Sequence, residues 1–270
     1  MNFDSFLHVI HSTSDFNIIV FHTVFYVFVG LLVYNLLRII FYDRKLWEDS
    51  YFGVTIVGTV LSLNAVLLTF TLIQSIKTSE EISGYVSREL QSLYILETEM
   101  LPLTSGSLGQ VKPFLKDYMV SVIENEWPLM DSGQRDEVTE SKFHDLLIAA
   151  RTFSIRNKSE ENARQRIAES IPNVVRYRYD RIKTRGKGIS QTYFFVIYFL
   201  EILLVIQYFL LTRRSALSQT ILSIHLMILG VMLALIVVYN HPYEGETSNS
   251  SKEFLPMLER LESMQGSEFK

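Results

Sequence analysis

Residues 51–76 read YFGVTIVGTVLSLNAVLLTFTLIQSI, and residues 77–101 continue as KTSEEISGYVSRELQSLYILETEML. The first half holds no charged side chain in 26 positions. An α-helix needs about 20 mostly apolar residues to cross a bilayer, so this half is long enough to span. In the second half charges appear, yet apolar residues recur at helical spacing: Ile82, Val86, Leu90, Leu93, Tyr94 and Leu96. No proline interrupts the stretch before Pro102, and Gly84 is the one weak point beyond the apolar half. The pattern predicts a single long helix that crosses a membrane and runs on into water. Such a helix couples a span rigidly to a domain, as a pore-lining or signal-transmitting element requires.

Three further blocks are long enough to span. Residues 16–41 contain one charge, Arg38; residues 189–211 contain one, Glu201; residues 217–239 contain none but include His225. The first block is read as a retained span rather than a signal peptide. Residues 1–15 carry no Lys or Arg, the apolar run is too long, and no small-residue cleavage site follows it. Of the 270 residues 48% are hydrophobic, and mean hydropathy is +0.19, between a soluble domain and a pure membrane bundle. There is no cysteine, so disulfides and thiolate metal sites are excluded.

These blocks predict an all-α membrane protein of four transmembrane helices with a soluble helical domain inserted between spans two and three. Residues 1–76 hold an N-terminal segment and spans one and two, residues 77–188 the domain, residues 189–240 spans three and four, and residues 241–270 a polar tail. Residues 1–15 are expected to form a short interfacial helix. Residues 42–49 form a charged loop with Trp47, making spans one and two a tight hairpin. In the domain, residues 102–109 (PLTSGSLG) read as turn. A helix is predicted at 111–130 with Pro113 in its first turn, another at 137–155, and another at 160–183 capped by Ser159 and kinked or split by Pro172. No segment alternates with period two, so no sheet is expected. In the tail, Phe254, Leu255, Leu258 and Leu261 mark an amphipathic helix at 253–264 that packs on the domain or a neighbouring subunit.

Orientation rests on basic residues. Arg44, Lys45, Arg213 and Arg214 lie in the two short loops; Lys77, Arg88 and six basic residues between 176 and 187 lie on the domain side. The larger number places the termini and domain in the cytoplasm, at an inner or plasma membrane. The basic run before span three suits lipid headgroups. With a net charge of −4, no nucleic-acid partner is expected.

No enzyme signature is present: no G-x-S-x-G, no H-E-x-x-H, no P-loop, and Gly106-Ser-Leu-Gly109 is too short to cradle a phosphate. His8 and His11 share a helical face but lack the further ligands that a metal site needs. Neither enzymatic activity nor a cofactor or metal is expected. The polar residues within spans are the better lead, because burying them in lipid is costly. Span two offers two stripes. One is Thr55, Thr59, Ser62, Val66 and Thr69; the other is Val60, Asn64, Leu67, Thr71 and Gln74. The second, with Phe70 beside it, has the larger dipoles and an aliphatic ring position, as a pore with a dewettable constriction requires. It competes with a simpler reading in which Gly53, Gly58, Ser62 and Ala65 allow tight helix packing. Glu201 and His225 are candidates for a buried pair or a gating element.

Residues 58–72 (GTVLSLNAVLLTFTL) are similar to the Gly-then-aliphatic run of the bestrophin-like membrane proteins. Glu89, the LKDYMV segment at 115–120, and Pro242-Tyr-Glu-Gly245 resemble further motifs of that family, which would cover nearly the whole chain. Asn240 and Thr69 depart from its usual Asp and Ala. The resemblance implies a distant relative of the bestrophins, pentameric and mostly anion-conducting channels whose second span lines the pore. It names Leu67, Phe70 and Thr71 as nearest to the hydrophobic neck. Only Glu244 and Glu246 stand where bestrophins carry an acidic calcium clasp, too few carboxylates for calcium dependence of that type. The expected partners are the lipid bilayer, identical subunits in a homo-oligomer (a pentamer) and permeant inorganic ions. A non-conducting scaffold or sensor that recruits a partner through its domain or tail helix is the competing function.

Overall fold

The computed structural model describes residues 14–41, 51–186, 188–212, 215–243 and 245–266. The expected N-terminal helix with His8 and His11, the loop with Arg44, Lys45 and Trp47, and Arg213, Arg214, Lys187 and Glu244 lie outside the described residues. Among the described residues there is no strand. The main helices are α1 (Asp15–Ile40), α2 (Tyr51–Met100), α3 (Lys112–Ser121), α4 (Glu137–Thr152), α5 (Lys158–Ile182), α6 (Gln191–Leu211), α7 (Ala216–Asn240) and α8 (Leu255–Gly266). Four of them, α1, α2, α6 and α7, are long and apolar enough to cross a membrane. The protein is an integral, multi-pass, all-helical membrane protein. Residues 51–100 do form one unbroken helix.

The chain divides into two compact units, one of Met1–Ser79 with Gly188–Ser248 and the other of Glu80–Lys187 with Asn249–Lys270. Residues 241–248 thus fall in the first unit and the rest of the tail in the second, where the sequence suggested one separate tail.

In the first unit α1 and α7 pack tightly and antiparallel. Gly30 lies against Leu226, Gly230 lies against Tyr26 and the Thr23 backbone, and Gln219 donates to Asn35 at 3.2 Å. Small residues allow this close approach, which in lipid replaces the hydrophobic drive that water supplies. A core of Tyr34, Leu68, Ile197, Leu204, Leu222, Leu226 and Leu233 joins all four helices. At the far end of α1, Arg38 donates to the Thr212 carbonyl and stacks on the rings of Tyr34 and Phe209. Helix starts are capped as serine allows: Ser190 accepts from Thr192 N, and Ser215 from Ser218 N.

The second unit is built on the amphipathic part of α2. Its residues Ile82, Val86, Leu93, Leu96 and Met100 are buried, as are Leu115, Tyr118 and Met119 of α3, Leu146 of α4 and Ile167, Ile171 and Val174 of α5. The predicted 111–130 helix forms continuously from Lys112 to Met130, with α3 followed by a π segment Val122–Glu126 and a last turn Trp127–Met130. Pro128 explains the π segment, since its ring cannot sit over the Glu124 carbonyl in a regular α-helix. Pro172 likewise does not split α5, which runs from Lys158 to Ile182. The cap of α5 is Asn157, not Ser159; its side chain accepts from Glu160 N at 2.9 Å. Asp136 caps α4 in the same way.

The Glu160 carboxylate continues that cap. It accepts from Thr104 N, Thr104 Oγ1 and Arg156 N at 2.6–2.8 Å, which holds its pKa at about 2. The tail helix α8 is fastened to its own unit by Arg260–Glu97 and Lys116–Glu262 ion pairs, and Phe254 packs on Trp127.

Candidate functional site

Along the membrane-spanning half of α2 the buried positions are Val57, Asn64, Leu68, Thr71 and Ser75, spaced by three, four and seven residues as one face of a helix requires. This face settles where the predicted stripe goes. Asn64 is 1% exposed and Thr71 is 4% exposed; both point into the first unit, and Thr71 Oγ1 donates to the Leu67 carbonyl at 2.8 Å. Val60 and Leu67 pack half-buried beside them. Only Phe70, 69% exposed, and Gln74 face outward. The structure therefore does not bring the six predicted residues onto one free surface. The reason is that this side of α2 joins the apolar core it shares with α1, α6 and α7, information that the spacing within α2 does not carry.

The opposite face holds the other stripe. Thr55, Thr59, Ser62, Val66 and Thr69 are all exposed, and Gly58 has open space where a side chain would be. Thr59, Ser62 and Thr69 each donate to the carbonyl four residues back, at 2.7–2.9 Å. That bond satisfies the hydroxyl proton and leaves oxygen lone pairs outward. The other spans differ. Beyond their first turns the exposed residues of α1 are Val, Phe, Leu and Ile, and those of α6 include Phe195, Val196, Tyr198, Phe199 and Ile202. After Thr220, those of α7 are Ile221, Ile224, Met227 and Ile228. Lipid covers such faces without loss, whereas a stripe of hydroxyls gains from water or a neighbouring helix.

Glu201 and His225 are not a pair. His225 Nδ1 shares a hydrogen bond with the Tyr208 hydroxyl, and their rings meet edge-on. Tyr208 lies seven residues beyond Glu201, about 10 Å along the helix. In the antiparallel register this sets Glu201 opposite the Gly230–Leu233 turn instead. There Glu201 is 3% exposed, with Tyr26 and Tyr198 as its polar neighbours.

In the second unit the resemblance motifs meet. Tyr118 donates to Glu89 at 2.5 Å, and Arg181 grips the same carboxylate through Nε at 2.5 Å and Nη2 at 3.2 Å. Arg181 Nη2 also reaches Glu126 at 2.5 Å, and Glu126 takes two bonds from Arg178, which extends to Glu140. Burial alone would push the Glu126 carboxyl up, but the Arg181 and Arg178 guanidiniums outweigh it and hold it below its ordinary range. The sequence reading placed Arg178 and Arg181 among headgroup-binding residues. The structure buries both, at 2% and 0% exposure, because three helical segments offer carboxylates there.

The remaining motif closes the first unit. Gly245, at φ +101°, faces the Asp15 carboxylate, which accepts from Thr247 N at 2.8 Å. Asn240 Oδ1 accepts from Ile189 N at 2.5 Å and so orders the start of α6.

A model of the bestrophin-like domain matches residues 24–254. The chain belongs to the bestrophin-like family. A solved crystal structure of a membrane protein carrying a proline-to-alanine substitution has the same fold. Its TM-score is 0.64 at 11% identity, and the match covers 90% of the bestrophin-like chain and 96% of its own. No curated protein sequence matches significantly. Among the described residues of this bestrophin-like protein, no group of three or more His, Asp or Glu could hold a metal ion.

Proposed function

We propose that this bestrophin-like protein is the subunit of a homo-oligomeric ion channel, five-fold as the family suggests, with α2 lining the pore. The observation that carries this is the exposed hydroxyl face of α2. Four spans cannot enclose a wide conduit, so conduction requires several copies, each contributing Thr55, Thr59, Ser62, Val66 and Thr69. Val66 is the aliphatic ring of that face, and Phe70 stands on its flank as a constriction that gates by dewetting. Asn64 and Thr71 lie on the opposite, buried face of α2. The second unit lies in water on the cytoplasmic side, and no catalysis is involved.

Selectivity is contested between two considerations. The family favours anions, whereas hydroxyls whose protons are already donated to the helix offer an anion no donor. The protein's mass in detergent, followed by chloride against sodium or potassium flux from liposomes, tests the proposal. A ring of about five copies with flux supports it, and the reversal potential assigns the ion. A monomer or dimer that passes nothing refutes it and leaves the scaffold function. The tail helix is a poor recruiting element for that alternative, because α8 is already occupied within its own unit.

A further inference from the structure

Beside Glu201 lies a cavity of about 540 Å³ between α1, α6 and α7. Its walls are mostly apolar and aromatic, with Phe25, Tyr26, Tyr198, Leu226 and Gly230 among them, and Glu201 supplies the acid. The glycine at 230 makes room for the Tyr26 ring, which lies 3.1 Å from where a side-chain carbon would be.

The carboxylate here has no cationic complement from the described residues. Neither Glu201 oxygen makes a well-formed hydrogen bond; the Tyr26 hydroxyl is the near polar group and is itself otherwise unbonded. Among the described residues no Arg or Lys pairs with Glu201; Arg38 is engaged at the other end of α1 by Thr212, Tyr34 and Phe209. His22 uses Nδ1 on the Ile18 carbonyl of its own helix. An acid placed at the middle of a span without a partner is costly. Here the space next to it is open to a ligand.

The shape of that space selects the ligand. A volume of this size falls in the usual range for small-molecule sites, roughly 300–1,000 Å³. Walls so poor in oxygen ligands cannot replace the hydration of an inorganic cation, which takes about six oxygens. An ammonium carried on an apolar body is complementary on both counts. It hydrogen-bonds the carboxylate, lies against the faces of Phe25, Tyr26 and Tyr198, and fills the apolar remainder. Glu201 is at the middle of α6, so lipid headgroup amines, about 15 Å away at the bilayer surface, do not reach it. A free amine dissolved in the bilayer does.

We propose that this cavity is a binding site for a lipophilic amine, with Glu201 as its counter-ion. The site is formed within one subunit and does not depend on conduction. The full-length protein, purified in detergent and in nanodiscs, is titrated calorimetrically with 1-adamantylamine and, separately, with 1-adamantanol, the same cage without the charge. The expected result is saturable binding of one amine per chain, at least tenfold weaker for the alcohol and at least tenfold weaker for Glu201→Gln. Ile202→Trp fills the cavity while keeping the acid, so it also loses the amine and serves if Glu201→Gln does not fold. Equal affinity of amine and alcohol, equal affinity of the wild type and a folded Glu201→Gln, undiminished binding by Ile202→Trp, or no saturable binding overturns the proposal.

Discussion

Arg181→Met tests the account of the second unit most sharply. Arg181 has no exposed surface and is the only cation bonded to Glu89 among the described residues; without it that carboxylate keeps one neutral donor, Tyr118. Removing one partner of a buried ion pair costs about 3–5 kcal/mol, because the charge left behind is neither hydrated nor paired. Arg178→Met, one helical turn earlier on α5, is a control that removes as much side chain. There Glu126 retains Arg181, and Glu140, with its side chain 63% exposed, returns to water. The loss for that variant is about 1–3 kcal/mol. Glu89→Gln combined with Arg181→Met removes the stranded charge and recovers about 2 kcal/mol of the single-mutant loss. Denaturant unfolding in micelles, followed by Trp127 fluorescence in a Trp47→Phe background, reads this unit directly, since Arg181 lies 5.5 Å from the Trp127 ring centre. Equal losses for the two arginines, or a loss below about 1 kcal/mol for Arg181→Met, would refute the reasoning.

Three other outcomes are expected. Ser62→Leu lowers ion flux by about tenfold or more while Asn64→Leu preserves it, since only the former changes the outward face; the reverse order would return the pore to the Asn64 stripe. Glu160 has its carboxyl lowered to about 2 from 4.5, so its contribution is present above pH 4.5 and is lost as pH falls toward 2. Glu160→Gln should flatten the fall in denaturation midpoint over that window, and an unchanged slope would count against the cap. Gly245→Ala forces a side chain into a left-handed backbone and to within 2.8 Å of Asp15, costing about 1–3 kcal/mol, read as a lower melting temperature.

The four spans and the long helix at 51–100 were legible in sequence because they depend on local quantities, the length of an uncharged run and the period of its apolar residues. The family motifs were legible for the same reason. What remained hidden depended on partners distant in the chain. Two stripes of α2 satisfied one helical period equally well, and only the core shared with α1, α6 and α7 decided that Asn64 and Thr71 turn inward and Thr59 and Ser62 outward. Arg178 and Arg181 looked like part of a basic run until Glu89, Glu126 and Glu140 converged on them from α2, the π segment and α4. Glu201 and His225 stood on neighbouring helices, but the antiparallel register put Tyr208 opposite the histidine and a cavity beside the acid. Composition and period fix what a segment can become, whereas the choice of face needs the neighbour that covers it.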